Sequence, residues 1–253
     1  MHLEFWQYSL LFLVALIAGT VDAIAGGGGL ITVPALLTFG LPVPLVLGTN
    51  KFQSSFGSVS ASRHFLQSGT VTLRECRVGI AATLLGAIVG AAAVQKIDSG
   101  ILANLVPWML AAILVYTVVR PAAGIHEQPP RLRANAFFVL FGLGLGFYDG
   151  FFGPGTGSFW AIALVLLLGQ TFGRATAMTK LMNATSNLAA LAMFVAGGHV
   201  HYAAGAAMAV GQVIGGRIGA GLVVTRGARF VRPIFMVVAT ATLARLLWVQ
   251  YAR

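Results

Sequence analysis

The sequence predicts an all-α, polytopic membrane protein made of two inverted repeats of about five helical segments each. First, 58% of the 253 residues are hydrophobic and only 9% are charged, whereas about a quarter of the residues of a soluble domain are charged. Second, apolar runs recur along almost the whole chain, many of them near the roughly 20 residues that a helix needs to cross the hydrocarbon core. Third, a set of glycine and charged motifs occurs once in each half.

Ten apolar segments divide the chain. The second and seventh are too short to span a bilayer alone, and each follows a Gly-rich break, at residues 26–29 and 153–157. These breaks predict broken or re-entrant helices. The polar stretch 121–133 is the linker between a first repeat, residues 1–120, and a second, residues 134–253, which together form one membrane domain. The segments are 8–25, 30–39, 44–64, 78–94, 101–119, 134–148, 158–168, 175–195, 203–224 and 231–248.

The two halves resemble each other in the order of their charged residues. Asp22 precedes the first glycine break and Lys51 follows it, just as Asp149 precedes the second break and Lys180 follows it. Chance matching in a Gly-rich chain does not explain an aspartate and a lysine that each recur in the same order. The sequence therefore predicts an internal repeat.

The positions of the basic residues predict the topology. Residues 63–77 form a basic loop whose counterpart, 197–202, has no Lys or Arg, while the weakly charged loop 96–100 corresponds to the basic loop 226–232. Because basic loops stay in the cytoplasm, the two halves are inverted, the linker 121–133 is cytoplasmic and both termini are periplasmic. Five spans per half, or three spans plus a re-entrant pair, both give the required odd number.

The formal net charge of +10 does not predict a nucleic-acid partner, because the basic residues are scattered singly at the ends of apolar segments. Cys76 is the only cysteine, which excludes intramolecular disulfides and cysteine metal clusters. His199 and His201 have no third ligand that would complete a metal site. We predict no cofactor and no metal, and the first apolar run is interpreted as a membrane segment rather than a cleaved signal.

The glycine breaks predict an anion site inside the membrane. Backbone at membrane depth is tolerated where it lines a cavity or is buried by protein. A helix that begins there presents N–H groups of positive polarity to the interior, and glycine lets an anion approach them closely. The alternative, that the glycines only permit tight packing, is favoured for Gly86, Gly90, Gly215 and Gly219, whose small faces would also allow a homodimer. The residues assigned to the site from the breaks are Gly27, Gly28, Gly29, Gly155, Thr156 and Gly157.

The two lysines are the main candidates for binding the anion. Each is expected near the start of a helix and is followed by polar residues at helical spacing. A single lysine in a span would be interpreted as snorkelling to the interface, but two lysines in repeat-related positions favour a shared site. The substrate-binding residues predicted from these helices are Lys51, Lys180, Asn50, Ser54, Asn183 and Asn187.

The aspartates have three alternative roles. Asp22 and Asp149 pair with the lysines, hold the loop amides, or carry a coupling proton, and simple charge compensation is at least as well supported as proton coupling. Arg174 and Arg217 are boundary residues that the sequence does not assign to the site.

Three motifs resemble the sulfite exporter TauE/SafE family, also called the four-toluene-sulfonate uptake permease family. They are the aspartate and four glycines of residues 22–29, the Gly-Thr-Asn-Lys of residues 48–51, and the Thr-Lys-Leu-Met-Asn of residues 179–183. The resemblance covers essentially the whole chain and implies a carrier of the bacterial cell inner membrane for sulfur-containing oxyanions or organosulfonates, acting as an exporter. The second half departs by having Pro154 and Thr156 in its break and Thr179 in place of Asn50, so the two half-sites should not be equivalent.

The function predicted is therefore a secondary transporter of small anions that works by alternating access around a midplane site. The expected partners are a small anionic substrate, the lipid bilayer and a proton as coupling ion. An anion channel is the alternative, since it would use the same positive constriction. An intramembrane enzyme is disfavoured because Ser158 has no evident base, and the glycine runs lack the Gly-Lys-Ser/Thr of a nucleotide-binding loop.

Overall fold

A computed structural model describes residues 4–94 and 124–251, and these parts of the chain are helical, with no strand among them. The predicted segment 101–119 and the first residues of the linker lie outside the described residues. We number the helices in chain order as α1 (Phe5–Ala25), α2 (Gly28–Thr38), α3 (Val43–Gln67), α4 (Leu73–Val94), α5 (Ala134–Phe151), α6 (Thr156–Leu168), α7 (Phe172–Ala196) and α8 (Tyr202–Tyr251).

Four helical stretches of the described residues are long and apolar enough to cross a membrane: α1, α4, α5 and the Tyr202–Gly227 part of α8. The prediction of an all-α, multi-pass membrane protein is confirmed. Helix α8 is interrupted at Gly227, whose φ of 66° and ψ of −164° are not helical. This kink separates the two segments that the sequence predicted at 203–224 and 231–248, so the expected loop at 226–232 is a kink rather than an open turn.

The helices that follow the breaks are short. Helix α2 has 11 residues and α6 has 13, which correspond to about 16 and 20 Å at the helical rise, against a hydrocarbon core of about 30 Å. The prediction that neither crosses the bilayer alone is confirmed. Glycines with left-handed backbone form both breaks, at Gly26 (φ 78°), Gly153 (φ 93°) and Gly155 (φ 88°), a conformation that other residues adopt only with strain.

The two 25-residue helices α3 and α7 pack against each other at the centre. The expectation that the lysines lie near helix starts is wrong. Helix α3 begins at Val43 and α7 at Phe172, which places Lys51 and Lys180 in the third turn. The lysines therefore lie deeper in the helices than the sequence suggested.

In each half, two helices pack against one helix of the other half. Helices α1 and α3 of the first half pack against α8, and helices α5 and α7 of the second half pack against α4. A side chain at Gly86 would overlap the carbonyl of Leu143, and one at Gly215 would overlap the carbonyl of Leu16. These glycines permit close helix contacts, which confirms the packing interpretation made from the sequence. The division at residue 120 and the inversion of the halves stay predictions.

Candidate functional site

The two glycine breaks meet in the interior of the protein. The Ser158 hydroxyl, in the first turn of α6, donates a hydrogen bond of 2.9 Å to the carbonyl of Ala25 at the end of α1. A Cβ atom at Gly157 would lie only 2.5 Å from the Cα of Gly26, so the backbones of the breaks are in direct contact. The N-terminal ends of α2 and α6 therefore lie beside each other.

A buried ion pair joins Lys51 of the first half to Asp149 of the second. The Lys51 ammonium lies 2.7 Å from Asp149 Oδ1 and 3.0 Å from Asn187 Oδ1. The other carboxylate oxygen of Asp149 accepts a hydrogen bond from the Ser186 hydroxyl. The two charged side chains are 4% and 5% exposed, so this pair is almost fully removed from water.

The repeat-related pair joins Lys180 of the second half to Asp22 of the first. The Lys180 ammonium lies 2.8 Å from Asp22 Oδ2, and Asp22 Oδ1 accepts a hydrogen bond of 3.1 Å from the backbone N–H of Gly28. The Lys180 side chain is 0% exposed and that of Asp22 is 22% exposed. Asp22 thus both pairs with a lysine and holds a break amide, which are two of the three roles that the sequence left open.

A polar cavity lies between the breaks and the ion pairs. Its volume is about 30 Å³, which is enough for about two water molecules. The polar centre of the described conformation is therefore narrow. The lining residues are Asp22, Gly26, Gly29, Asn50, Lys51, Ser54, Asp149, Gly153, Gly155, Thr156, Gly157, Asn183 and Asn187.

Most of the residues predicted for the site line this cavity, but Gly27, Gly28 and Lys180 do not. Lys180 is directed to Asp22 with no exposed surface, and the Gly28 amide is also directed to Asp22. Gly26 and Gly153 line the cavity although the sequence analysis did not assign them to the site. Each follows its aspartate by four residues, and this repeated spacing was the signal that could have found them.

Two asparagines on the cavity wall have different environments. Asn50 Oδ1 accepts hydrogen bonds from the Thr32 hydroxyl (2.6 Å) and the Gln53 side-chain amide (2.8 Å), so its amide group is the part left to donate. Asn183 is 6% exposed, and its Oδ1 is buried with no hydrogen-bond partner in the described parts of the chain. A buried polar atom without a partner costs about 1–3 kcal/mol, so Asn183 is suited to contact a bound molecule.

The formal charges of the two ion pairs cancel. The cavity wall itself contains one ammonium, that of Lys51, and two carboxylates, those of Asp22 and Asp149. Hydroxyl, amide and backbone groups complete a surface that suits a small polar or ionic molecule. In the described residues no cluster of three His, Cys, Asp or Glu side chains is placed to hold a metal ion.

Broken helices that meet at a buried, charged cavity inside a helical membrane domain are typical of membrane transporters. The chain belongs to the sulfite exporter TauE/SafE family, which matches residues 11–246. It is 41% identical to the probable membrane transporter protein YfcA of Escherichia coli K12, over 94% of this chain and 89% of YfcA.

A probable membrane transporter protein of Haemophilus influenzae is also 41% identical, over 96% of this chain and 95% of that protein. The probable membrane transporter protein ORF9 of a Sinorhizobium species is 38% identical, over 97% and 94%. No solved structure matches the chain. The family and these relatives identify the protein as a multi-pass membrane transporter.

Proposed function

We propose that the protein is a secondary transporter that exports small sulfur-containing anions, such as sulfite or organosulfonates, by alternating access around the polar cavity. The observation that carries the proposal is the Lys51 ammonium on the wall of a cavity formed by two opposed helix breaks. The family's description as sulfite exporters supports the choice of substrate class.

The groups around the cavity suit an oxyanion. The first N–H groups of a helix have no acceptor within that helix, and Gly29 and Gly157, the second residues of α2 and α6, line the cavity. Ser54 and the side-chain amides of Asn50 and Asn183 add further donors, whereas the Thr156 hydroxyl already donates to the carbonyl of Gly153. The compact lysine charge then neutralises an anion held among several weaker donors.

The small size of the cavity supports alternating access. A space for about two waters is too small for an organosulfonate, so the breaks or the helices around them must move apart to admit one. Because each half of the chain provides one break and one end of each ion pair, movement of one half against the other opens the cavity on one side at a time.

The balanced charges of the site require compensation for a bound anion. Lys51 can turn from Asp149 to the anion because the Ser186 hydroxyl still donates to that carboxylate. A proton on Asp22, the more exposed carboxylate, supplies further compensation and is the proposed coupling ion. An inside-negative potential favours outward movement of each net negative charge by about 2.3 kcal/mol per 100 mV. A dianion that leaves with one proton carries one net negative charge, so the membrane potential favours its export.

The proposed location is the bacterial inner membrane, with the linker 121–133 in the cytoplasm and both termini in the periplasm. This orientation follows the positive-inside rule. Reporter fusions after residue 130 and at the C-terminus test it, and a periplasmic signal from the linker fusion would reverse the topology.

The decisive experiment is a screen of the purified protein for thermal stabilisation by sulfite, sulfate, thiosulfate, sulfoacetate and simple carboxylates. A ligand raises the stability of the folded state according to its concentration and affinity. Selective stabilisation by a sulfur-containing anion, with saturable counterflow of that anion in proteoliposomes, is the expected result. Stabilisation by carboxylates alone would refute the substrate class, and unitary conductance would identify a channel instead of a carrier.

A further inference from the structure

A second and much larger cavity lies on the outside of the helical domain, as a groove of about 540 Å³ between α3, α7 and α8. Its apolar walls include Phe56, Val59, Leu188 and Val213, which are all substantially exposed. Two arginines, Arg63 and Arg217, also line it. The groove therefore joins an apolar surface to a concentrated positive charge.

The two arginines lie at the same end of the groove because α3 and α8 run in the same direction. Thr49 accepts a hydrogen bond from the N–H of His201, and eleven to twelve residues further along both helices Ser60 donates to the carbonyl of Val213. Arg63 lies just beyond Ser60 in α3, and Arg217 lies one turn beyond Val213 in α8. Both arginines thus lie towards the C-terminal end of α3. The basic stretch 63–77, which the sequence predicted as a loop, includes the last residues of α3 and the first residues of α4.

Arg217 occupies an unusual position for a charged residue. It is exposed within the membrane-spanning part of α8, ten residues before the kink at Gly227, or about 15 Å along the helix. Its neighbours Ile214 and Ile218 are exposed apolar side chains, as expected of a face in contact with lipid. An arginine on such a face is costly unless it reaches the interface or an anionic partner.

Within the described part of the chain, no carboxylate forms an ion pair with either arginine. The ion pairs formed within residues 4–94 and 124–251 involve Lys51, Lys180 and Arg174, and neither Arg63 nor Arg217 takes part in one. A phosphate group would satisfy both arginines, because guanidinium groups bind phosphate oxygens through paired hydrogen bonds. An apolar groove that leads away from that phosphate matches an acyl chain.

We propose that this groove binds one anionic phospholipid, with its phosphate at Arg63 and Arg217 and an acyl chain along Phe56, Val59 and Leu188. Basic pockets between membrane helices on the cytoplasmic side are suited to anionic head groups, and the loop that follows Arg63 is on that side in the proposed topology. The site is separate from the polar cavity, so it does not depend on the identity of the transported anion.

The test compares lipid binding by the full-length protein in detergent. The protein is equilibrated with phosphatidylglycerol and phosphatidylcholine of identical acyl chains, and the bound lipid is counted by native mass spectrometry. The wild-type protein should retain phosphatidylglycerol selectively. The Arg63→Gln/Arg217→Gln variant should bind it about 30-fold more weakly, because each arginine near the surface contributes about a fivefold attraction.

The matched control is Arg74→Gln/Arg77→Gln, which removes two exposed charges from the first turns of α4, outside the groove. It should keep the preference for phosphatidylglycerol. Val59→Trp fills the apolar part of the groove and leaves both arginines, so it should also weaken lipid binding. This variant remains informative if the double arginine variant does not fold.

Three results would overturn the proposal. The first is equal retention of the two lipids by the wild-type protein, and the second is unchanged phosphatidylglycerol binding in both groove variants. The third is a disulfide between two copies of Val59→Cys that forms in phosphatidylcholine membranes, because a second copy of the chain would then cover the groove.

Discussion

The two ion pairs occupy equivalent positions in the repeat but present different groups to the cavity. In the first pair both Lys51 and Asp149 line the cavity, whereas in the second Asp22 lines it and Lys180 does not. Lys180 has no exposed surface, and its partner Asp22 is 22% exposed. One pair therefore contributes both an ammonium and a carboxylate to the cavity wall, whereas the other contributes only a carboxylate.

Neighbouring residues explain part of this difference. Ser186, one turn after Asn183 in α7, donates to Asp149, but the corresponding position in α3 is Gly57. A side chain at Gly57 would overlap the side-chain oxygen of Gln212, so no hydroxyl can reach Asp22 from there. The comparison teaches that a repeated sequence motif does not produce two equal binding sites when the surrounding packing differs.

Removing Lys51 should have the largest effect on transport. Losing one member of a buried charge pair typically costs about 2–5 kcal/mol of binding, so Lys51→Ala should lower anion affinity at least about 30-fold and abolish measurable flux in proteoliposomes. The loss should be greater than that of Lys180→Ala measured per folded molecule. Equal flux in the two variants would remove the distinction between the half-sites.

Removing Lys180 should have a large effect on stability. Lys180→Met leaves the Asp22 carboxylate without its partner, which should lower the free energy of unfolding by about 3–5 kcal/mol, measured as a lower midpoint of thermal unfolding. The double variant Lys180→Met/Asp22→Asn should recover most of that loss because no unpaired charge remains. A double variant no more stable than the single one would show that the carboxylate was not the cause.

Removing the Ser186 hydroxyl should have an intermediate effect. A hydrogen bond to a charged group contributes about 1.5–3 kcal/mol. Without it, Asp149 should hold Lys51 more strongly, so Ser186→Ala should raise the KM for the transported anion about tenfold. Ser158→Ala is the matched control, because Ser158 is also a buried serine but bonds the Ala25 carbonyl. An unchanged KM in Ser186→Ala would contradict the proposed exchange of Lys51 between Asp149 and the anion.

An exposed ion pair between the halves should have the smallest effect. Arg174 lies 3.4 Å from Glu75, with side chains that are 37% and 42% exposed. Exposed pairs contribute about 0.2–1 kcal/mol, so Arg174→Gln should change the unfolding midpoint by no more than a few degrees and leave flux unchanged. If Arg174→Gln lowered the unfolding midpoint as much as Lys180→Met, burial would not explain the difference in stability between the Arg174–Glu75 pair and the Lys180–Asp22 pair.

Much of the fold could be predicted from the sequence. Long apolar runs identified the spanning helices, and the glycine breaks identified the short helices α2 and α6, because hydrophobic length and backbone freedom are local properties. Most of the cavity-lining residues were also predicted, since lysine and asparagine in an apolar span must face protein or water. The depth of Lys51 in α3 was misjudged although the predicted segment began at residue 44, one residue after the observed helix start, where Pro44 is a local start signal.

The sequence by itself determined that the chain is a helical membrane protein, and it identified the charged residues and breaks that a buried site would use. Only the tertiary structure decided that each lysine pairs with the aspartate of the opposite half, across 98 residues for Lys51 and 158 for Lys180. It also decided that only one of the two ammonium groups lines the cavity. Contacts between residues so far apart depend on how whole helices pack, and no local pattern of residues specifies them.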